Sequence, residues 1–358
     1  MCCFLPSSGF PSSAHSVSGV LAPLEVARVG VDRVLPGRAP VEDVSVASYV
    51  GRRVGRAVID RLVEPLLGGV YAGRAELLSL HATMPQLPRV DGSLLSAVAK
   101  SVPEPTAGPV FAALPGGMQR LVHAVERAAG ASVVAGRLVR RIERRPDGFV
   151  VVHGPTTDEQ AVVADAVVVA TPAVPAARLL ADVAPSAATE LAAIDYASVA
   201  IVTLAFAAAD WPAVDGSGYL VPLLPGRPVK AVTFASSKWP HLRTADVVVA
   251  RASIGRYADT ADLQRDDADL VTAVRAELTT TLGLTATPVA SRVTRWGGGL
   301  PQYAVGHLER VRRIRLAVSA VPGLAVCGAA YDGVGVPACI GSARRAASDI
   351  LSAIGGAV

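Results

Sequence analysis

The chain is 358 residues long, 51% apolar and 4% aromatic, with a net charge of +4 supplied by arginine, lysine being confined to positions 100, 230 and 238. That length allows two domains, or one large domain with an insertion, around a core of Ala, Val and Leu. No basic run or aromatic platform offers nucleic acid a footing. The arginine excess therefore reads as compositional bias, with attraction to an acidic ligand or membrane surface as the functional alternative.

The four cysteines form neither a disulfide framework nor a zinc site. Cys2 and Cys3 lie at a frayed N-terminus, Cys327 in a strand and Cys339 in a helix, without a Cys-x-x-Cys pair. A reducing, cytoplasmic setting is expected. The longest apolar stretch, Val199–Ala209, is too short to span a bilayer, and the opening MCCFLPSSGF lacks the regions of a signal peptide.

Residues 1–22, rich in Ser, Pro and Gly, are expected to be disordered or loosely attached. A short helix over Leu24–Val34 is followed by a better one that Asp43 or Ser45 can cap. Its residues Val50, Val54, Val58, Leu62 and Leu66 recur at i+4, and Gly68-Gly69 is expected to stop it. A further helix is predicted near Glu76–Thr83, and 84–105 reads as a Pro- and Gly-punctuated connector. After Leu114-Pro115-Gly116-Gly117-Met118 comes a helix with Leu121, Val122, Val125 and Ala129 inward, ending at Gly130. Strands are expected over Ser132–Ala135, Leu138–Ile142 and Phe149–His153. Val162–Ala170 reads as one continuous strand buried on both faces.

Thr171-Pro172 ends that strand, and a helix begins near Pro175. Strands then alternate with loops at Ala200–Ala207, Tyr219–Pro222, Val229–Phe234, Val247–Ile254 and Pro288–Trp296, with a clear helix over Asp262–Leu282. Last comes GLAVCGAAYDGVGVPACIGSARR, from Gly323 to Arg345. An apolar strand enters a glycine loop, and Pro337 opens a C-terminal helix with Cys339, Ala343, Ala346, Ala347 and Ile350 on one stripe. Such a turn suits either a ligand approached by free N–H groups and the helix dipole, or an ordinary strand-to-helix connection.

No nucleophile elbow, carboxylate pair or histidine cluster is present, so hydrolase, kinase and metalloenzyme readings lack residues. A site poor in acids and bases does chemistry by holding a cofactor.

The segment Arg61-Leu62-Val63-Glu64-Pro65-Leu66-Leu67-Gly68-Gly69-Val70-Tyr71-Ala72-Gly73 resembles the signature of FAD-dependent protoporphyrinogen/coproporphyrinogen oxidases, within the flavin-containing amine oxidase superfamily. Leu300-Pro301-Gln302-Tyr303 with Gly306-His307-Leu308, and the GAAYDGVGVPACI segment, resemble it as well. Leu114–Met118, Gly218-Tyr219-Leu220-Val221-Pro222 and Lys238-Trp239-Pro240 fall between them in family order. The resemblance runs from about Ser16 to the C-terminus.

It implies an α/β (mixed α+β) fold: an incomplete Rossmann-like FAD-binding domain over 105–172 and 321–358, a mixed-sheet substrate domain over 173–320, and a helical subdomain over 23–104 after an atypical 1–22. It implies FAD beside Val139, Ala170, Thr171, Pro172, Gly328, Gly333, Val334, Gly335, Val336 and Pro337. Leu66, Gly69, Ser217, Gly218 and Leu220 match positions lining the family's tetrapyrrole pocket, although Leu66 and Leu220 fit plain core equally well. Ala338 and Ala343 depart from the acidic residue and glycine usual there. The strand–Gly-x-Gly-x-x-Gly–helix unit that holds the FAD pyrophosphate is not found, so the chain reads as starting inside the family sequence.

The implied activity is oxidation of a porphyrinogen to the porphyrin in haem synthesis by hydride transfer to FAD, with O₂ as the final oxidant. Coproporphyrinogen III is preferred over protoporphyrinogen IX, since four propionates suit an arginine-rich chain. No catalytic side chain and no metal is implied, and peripheral membrane contact occurs in some relatives. A catalytically silent remnant or flavin-free porphyrin-binding module is the alternative outside enzymes, with weak FAD affinity and poor stability. An amine-oxidase or carotenoid-desaturase relative is the alternative within the fold.

Overall fold

The structure is a computed structural model that describes residues 3–5, 19–35, 37–87, 89–101 and 111–355. Contacts divide the chain into two units, both mixing helix and sheet as the sequence suggests. The first comprises Met1–Leu80, Met84–Ala129 and Ala197–Gly299, the second His81–Thr83, Gly130–Tyr196 and Leu300–Val358.

Eleven strands are found among the described residues. In chain order they are β1 (Cys3–Leu5), β2 (Val139–Arg145), β3 (Gly148–His153), β4 (Gln160–Ala164), β5 (Val167–Val169) and β6 (Tyr196–Ala207). Then follow β7 (Gly218–Leu220), β8 (Val229–Phe234), β9 (Val247–Ile254), β10 (Ala290–Pro301) and β11 (Leu324–Val326).

The first unit is built on a sheet of order β1-β7-β8-β9-β6-β10. Cys3–Leu5 pairs with β7, where the sequence suggested no element; 6–18 lie outside the described residues. Alternation in β6 and β8 sends Val202, Leu204, Phe206, Val232 and Phe234 into one core, which Leu270, Val274 and Leu278 of the Asp267–Leu282 helix complete. A second core gathers Val46, Tyr49, Val50, Ile59, Leu67 and Leu78 from the helical first third. The Val46–Val54 helix is capped by the Ser45 side chain, which accepts from the Ser48 amide. Gly55, at φ +97°, breaks the long helix expected there. The following helix Glu64–Tyr71 instead runs through Gly68-Gly69 and ends at Ala72, held in the left-handed region at φ 49°.

Three other expectations in this unit are corrected. The segment near Glu76 is a turn, and only Leu80–Thr83 is helical. The expected connector carries a helix, Leu94–Ser101, with Leu94 buried. The helix Gln119–Ala129 forms, but none of its residues is buried, so Val122 and Val125 face outward.

In the second unit β2, β3 and β4 form an antiparallel meander, and β5 pairs in parallel with β11. The single strand expected over Val162–Ala170 is therefore two, separated at Asp165-Ala166, with the first on the meander edge. Val162 and Val163 are 51% and 68% exposed, so that run is not buried on both faces. Ser132–Ala135 is not a strand. The core joins Phe149, Val169, Leu180, Leu191, Ile314, Val318, Leu324 and Tyr331. The last helix, Val336–Gly355, buries Ser342 and Ala346, while Ala343 and Ala347 of the expected stripe are exposed. No helix among the described residues is long and apolar enough to cross a membrane.

Candidate functional site

In the second unit, the residues read as flavin-facing gather where the parallel strands β5 and β11 end, the side on which open parallel sheets receive ligands. The Cys327 amide donates to the Val169 carbonyl at 3.2 Å, which sets Ala170 beside Gly328; a Cβ on Gly328 would lie 3.9 Å from the Ala170 carbonyl. Thr171 and Pro172 follow, exposed, before the helix Ala173–Leu180. The Gly328 amide donates to the Ser342 hydroxyl at 3.2 Å, tying the loop to the last helix. Gly333 sits at φ +150°, and a Cβ there would meet that of Ala338 at 2.8 Å, so only glycine fits. Gly335, Val336 and Pro337 are exposed at the helix start, and Val334 is half-buried. Val139 stands apart on β2 in the meander, 36% exposed.

The Leu300–Leu308 motif supports this loop. The Tyr303 hydroxyl donates to the Ala329 carbonyl, and its ring stacks on His307 at 4.1 Å. Asp332 receives Arg315 at 2.5 Å and Arg345 at 2.6 Å. Burial opposes its ionisation, but the two guanidiniums win and hold the carboxyl below its usual range. The Tyr331 hydroxyl is buried without a partner, and burial raises it well above the usual phenol range.

In the first unit, the residues read as tetrapyrrole-facing meet where the Glu64–Tyr71 helix packs on β7 and β8. A Cβ on exposed Gly69 would lie 3.4 Å from Leu220 Cδ2, and Leu66 and Leu220 are half-buried rather than core. Gly218, at φ +143°, lets β7 approach β8, since a Cβ would fall 2.2 Å from the Val232 carbonyl. Ser217 is buried, and its carbonyl accepts from Phe234 at 2.9 Å.

Beside them lie charged residues that the sequence did not single out: Glu64, Lys230 and Arg256 are 5%, 2% and 4% exposed. Lys230 hides because β8 slips by one residue against β9, between Val229 and Ala231. The slip makes Lys230 the extra residue of a bulge. Burial, then the Arg256 charge, lowers its amine to about 7. Burial also raises the Glu64 carboxyl, against the hydrogen bond its Oε2 accepts from the Ala75 amide at 2.7 Å. The signal for Arg256 was its place after the turn glycine Gly255, too common a pattern to identify a site.

Residues 10–351 match the model of the flavin containing amine oxidoreductase family, and the chain belongs to that family. It is an FAD-dependent oxidoreductase. Several curated relatives are porphyrinogen oxidases by name. The coproporphyrinogen III oxidase of Mycobacterium tuberculosis is 37% identical over 97% of this chain and 75% of its own length. That of Bacillus subtilis is 31% identical over 91% and 71%. A crystal structure from Exiguobacterium, provisionally named a protoporphyrinogen oxidase, superposes with a TM-score of 0.81 at 29% identity, covering 97% of this chain and 77% of the other.

The second unit fits part of FAD. A glycine loop without side chains at its closest turns, running into a 20-residue helix, offers backbone N–H groups and a positive dipole end to an electron-rich ring.

Proposed function

We propose that this chain oxidises a porphyrinogen to the porphyrin in haem synthesis, with coproporphyrinogen III as preferred substrate and protoporphyrinogen IX next. The observation that carries the reading is the 37% and 31% identity to coproporphyrinogen III oxidases over 97% and 91% of the chain. The geometry supports it. A porphyrinogen is already electron-rich and gains aromaticity on oxidation, so it needs positioning more than acid–base help. The wall of Leu66, Gly69 and Leu220 is apolar and carries no nucleophile.

Ala170, Thr171, Pro172, Gly328, Gly333, Val334, Gly335, Val336 and Pro337 would hold FAD, with Val139 farther along the second unit. FAD when bound supplies two-electron oxidation, and O₂ is the proposed final acceptor. The protein's own part is to present backbone donors and the helix dipole, to fix the loop through Tyr303 and Ser342, and to hold the substrate against Gly69 and Leu220. We place the protein in the cytoplasm, with contact to the membrane surface at most peripheral.

The test is aerobic turnover of coproporphyrinogen III by the purified chain supplied with FAD, followed by porphyrin fluorescence. Porphyrin forming faster than in protein-free buffer is expected. Stoichiometric flavin without porphyrin formation, together with oxidation of polyamines or polyenes, would overturn the reading. Tight porphyrin binding without turnover or flavin would instead assign a binding module.

A further inference from the structure

The loop 328–335 carries a single charged side chain, the carboxylate of Asp332. Its Oδ2 accepts from Nη2 of Arg315 at 2.5 Å and from Nη2 of Arg345 at 2.6 Å. The first arginine belongs to the helix His307–Ser319 and the second to the last helix, Val336–Gly355. Among the described residues neither arginine pairs with another carboxylate, and Asp332 pairs with no other cation. Both arginines line a cavity of about 420 Å³ beside β11, so packing does not fix their guanidiniums on that side.

The other side-chain ties on the loop are neutral, and each comes from one element. Ser342 accepts the Gly328 amide, Tyr303 donates to the Ala329 carbonyl, and the Cys339 thiol lies 3.8 Å from the Gly333 carbonyl. Asp332 alone is drawn between two helices.

The place of this contact matters more than its strength. The side chain of Asp332 is 27% exposed and those of Arg315 and Arg345 are 35% and 48% exposed. Ion pairs so open to water add little to global stability. Yet Asp332 directly precedes Gly333, whose positive φ turns the chain towards the helix that starts at Val336. A carboxylate fixed there sets where the turn stands, and with it the direction of the amides of Val334, Gly335 and Val336.

We propose that Asp332, gripped by Arg315 and Arg345, is a positioning residue for the flavin, holding the loop in its receiving pose before the cofactor arrives. The inference rests on the reading that FAD lies against this loop and adds the group that poises it. Reduction places negative charge on the ring, which aligned N–H dipoles favour. A loop released to other poses must be ordered again on binding, and it favours the reduced form less.

The experiment titrates FAD into the wild type, Asp332→Asn, Asp332→Glu, Arg315→Gln and Arg345→Gln, and measures the flavin reduction potential of each complex by spectroelectrochemistry. Thermal unfolding without FAD checks that each variant is folded. Asp332→Asn is expected to bind FAD about tenfold more weakly or worse, the equivalent of re-ordering one loop residue. Its potential should fall by about 30 mV, a tenfold loss of preference for the reduced form in a two-electron couple. Asp332→Glu should recover part of both, and each arginine variant should fall in the same direction as Asp332→Asn. The sign is decisive. Charge acting through space would raise the potential when the carboxylate is removed and lower it when a guanidinium is removed, so a rise in Asp332→Asn overturns the positioning role. So do affinity and potential unchanged from the wild type in Asp332→Asn. Should that variant fail to fold, unchanged FAD affinity in both arginine variants overturns it equally. A wild type that binds no FAD would bring down the flavin reading of the loop and the positioning role with it. Porphyrinogen turnover does not enter, so the outcome is independent of the substrate.

Discussion

Lys230 is the residue whose surroundings cost the fold most visibly. Its amine titrates at about 7 in the folded chain against an ordinary 10.5. Below pH 7 both folded and unfolded chains hold the proton, and the folded state bears the full cost of a buried charge. Between pH 7 and 10.5 the unfolded chain holds more protons, so stability rises with pH. Lys230→Met should therefore stabilise the protein by on the order of 2–4 kcal/mol at pH 6, and by progressively less towards pH 10. Urea unfolding at pH 6 and pH 9.5 checks this; an equal gain at both would show that burial of the charge is not the cause. This residue also marks a limit of sequence reading. Position 230 alternates correctly with Val229 and Ala231 for a half-exposed strand, and nothing in that pattern announces a bulge. The glycine loop was legible for the opposite reason: Gly333 answers a local backbone demand.

At the scale of elements, helices and strands with strong periodicity were legible, whereas what covers them was not. The Gln119–Ala129 helix has the apolar spacing expected of a buried face, yet Val122 and Val125 are 64% and 59% exposed. Periodicity identifies an apolar face; it does not supply the partner. The run Val162–Ala170 misled in the same way, since Asp165 splits it between an antiparallel edge and a parallel pair. The two sheets should differ in local stability. β8 and β9 sit inside a six-stranded sheet, while among the described residues β5 and β11 pair only with each other. Native-state hydrogen exchange should find the amides of β8 and β9 slowest and those of β5 and β11 faster by about tenfold or more, because subglobal opening of a two-stranded pair exposes less surface. Equal protection in both sheets would contradict this.

At the scale of the molecule, the family was legible because several motifs recur in order, each at its own place in the fold. The residues read as flavin-facing all fall in the second unit and those read as tetrapyrrole-facing in the first. No periodicity argument provides that grouping, since each unit is assembled from segments distant in sequence. The two ligands should accordingly leave separate footprints. FAD at about a hundred times its dissociation constant should add about 2.7 kcal/mol to stability and slow exchange at 167–172 and 324–339. Coproporphyrin III should slow it at 64–72 and 217–234. Exchange mass spectrometry with each ligand alone reads both, and FAD protection confined to other segments would refute the placement.

The β5–β11 pair also dictates when the second unit can finish folding. Val167–Val169 must wait for Leu324–Val326, with β6 to β10 of the six-stranded sheet synthesised in between. Loop closure over such a span is slow, and parallel pairing raises the contact order further. The meander of β2, β3 and β4 can form early from local contacts, so the chain passes through a stage in which β5 is synthesised, apolar and unpaired. Chaperone dependence during translation, more than the stability of the finished protein, then becomes the quantity that sets its yield.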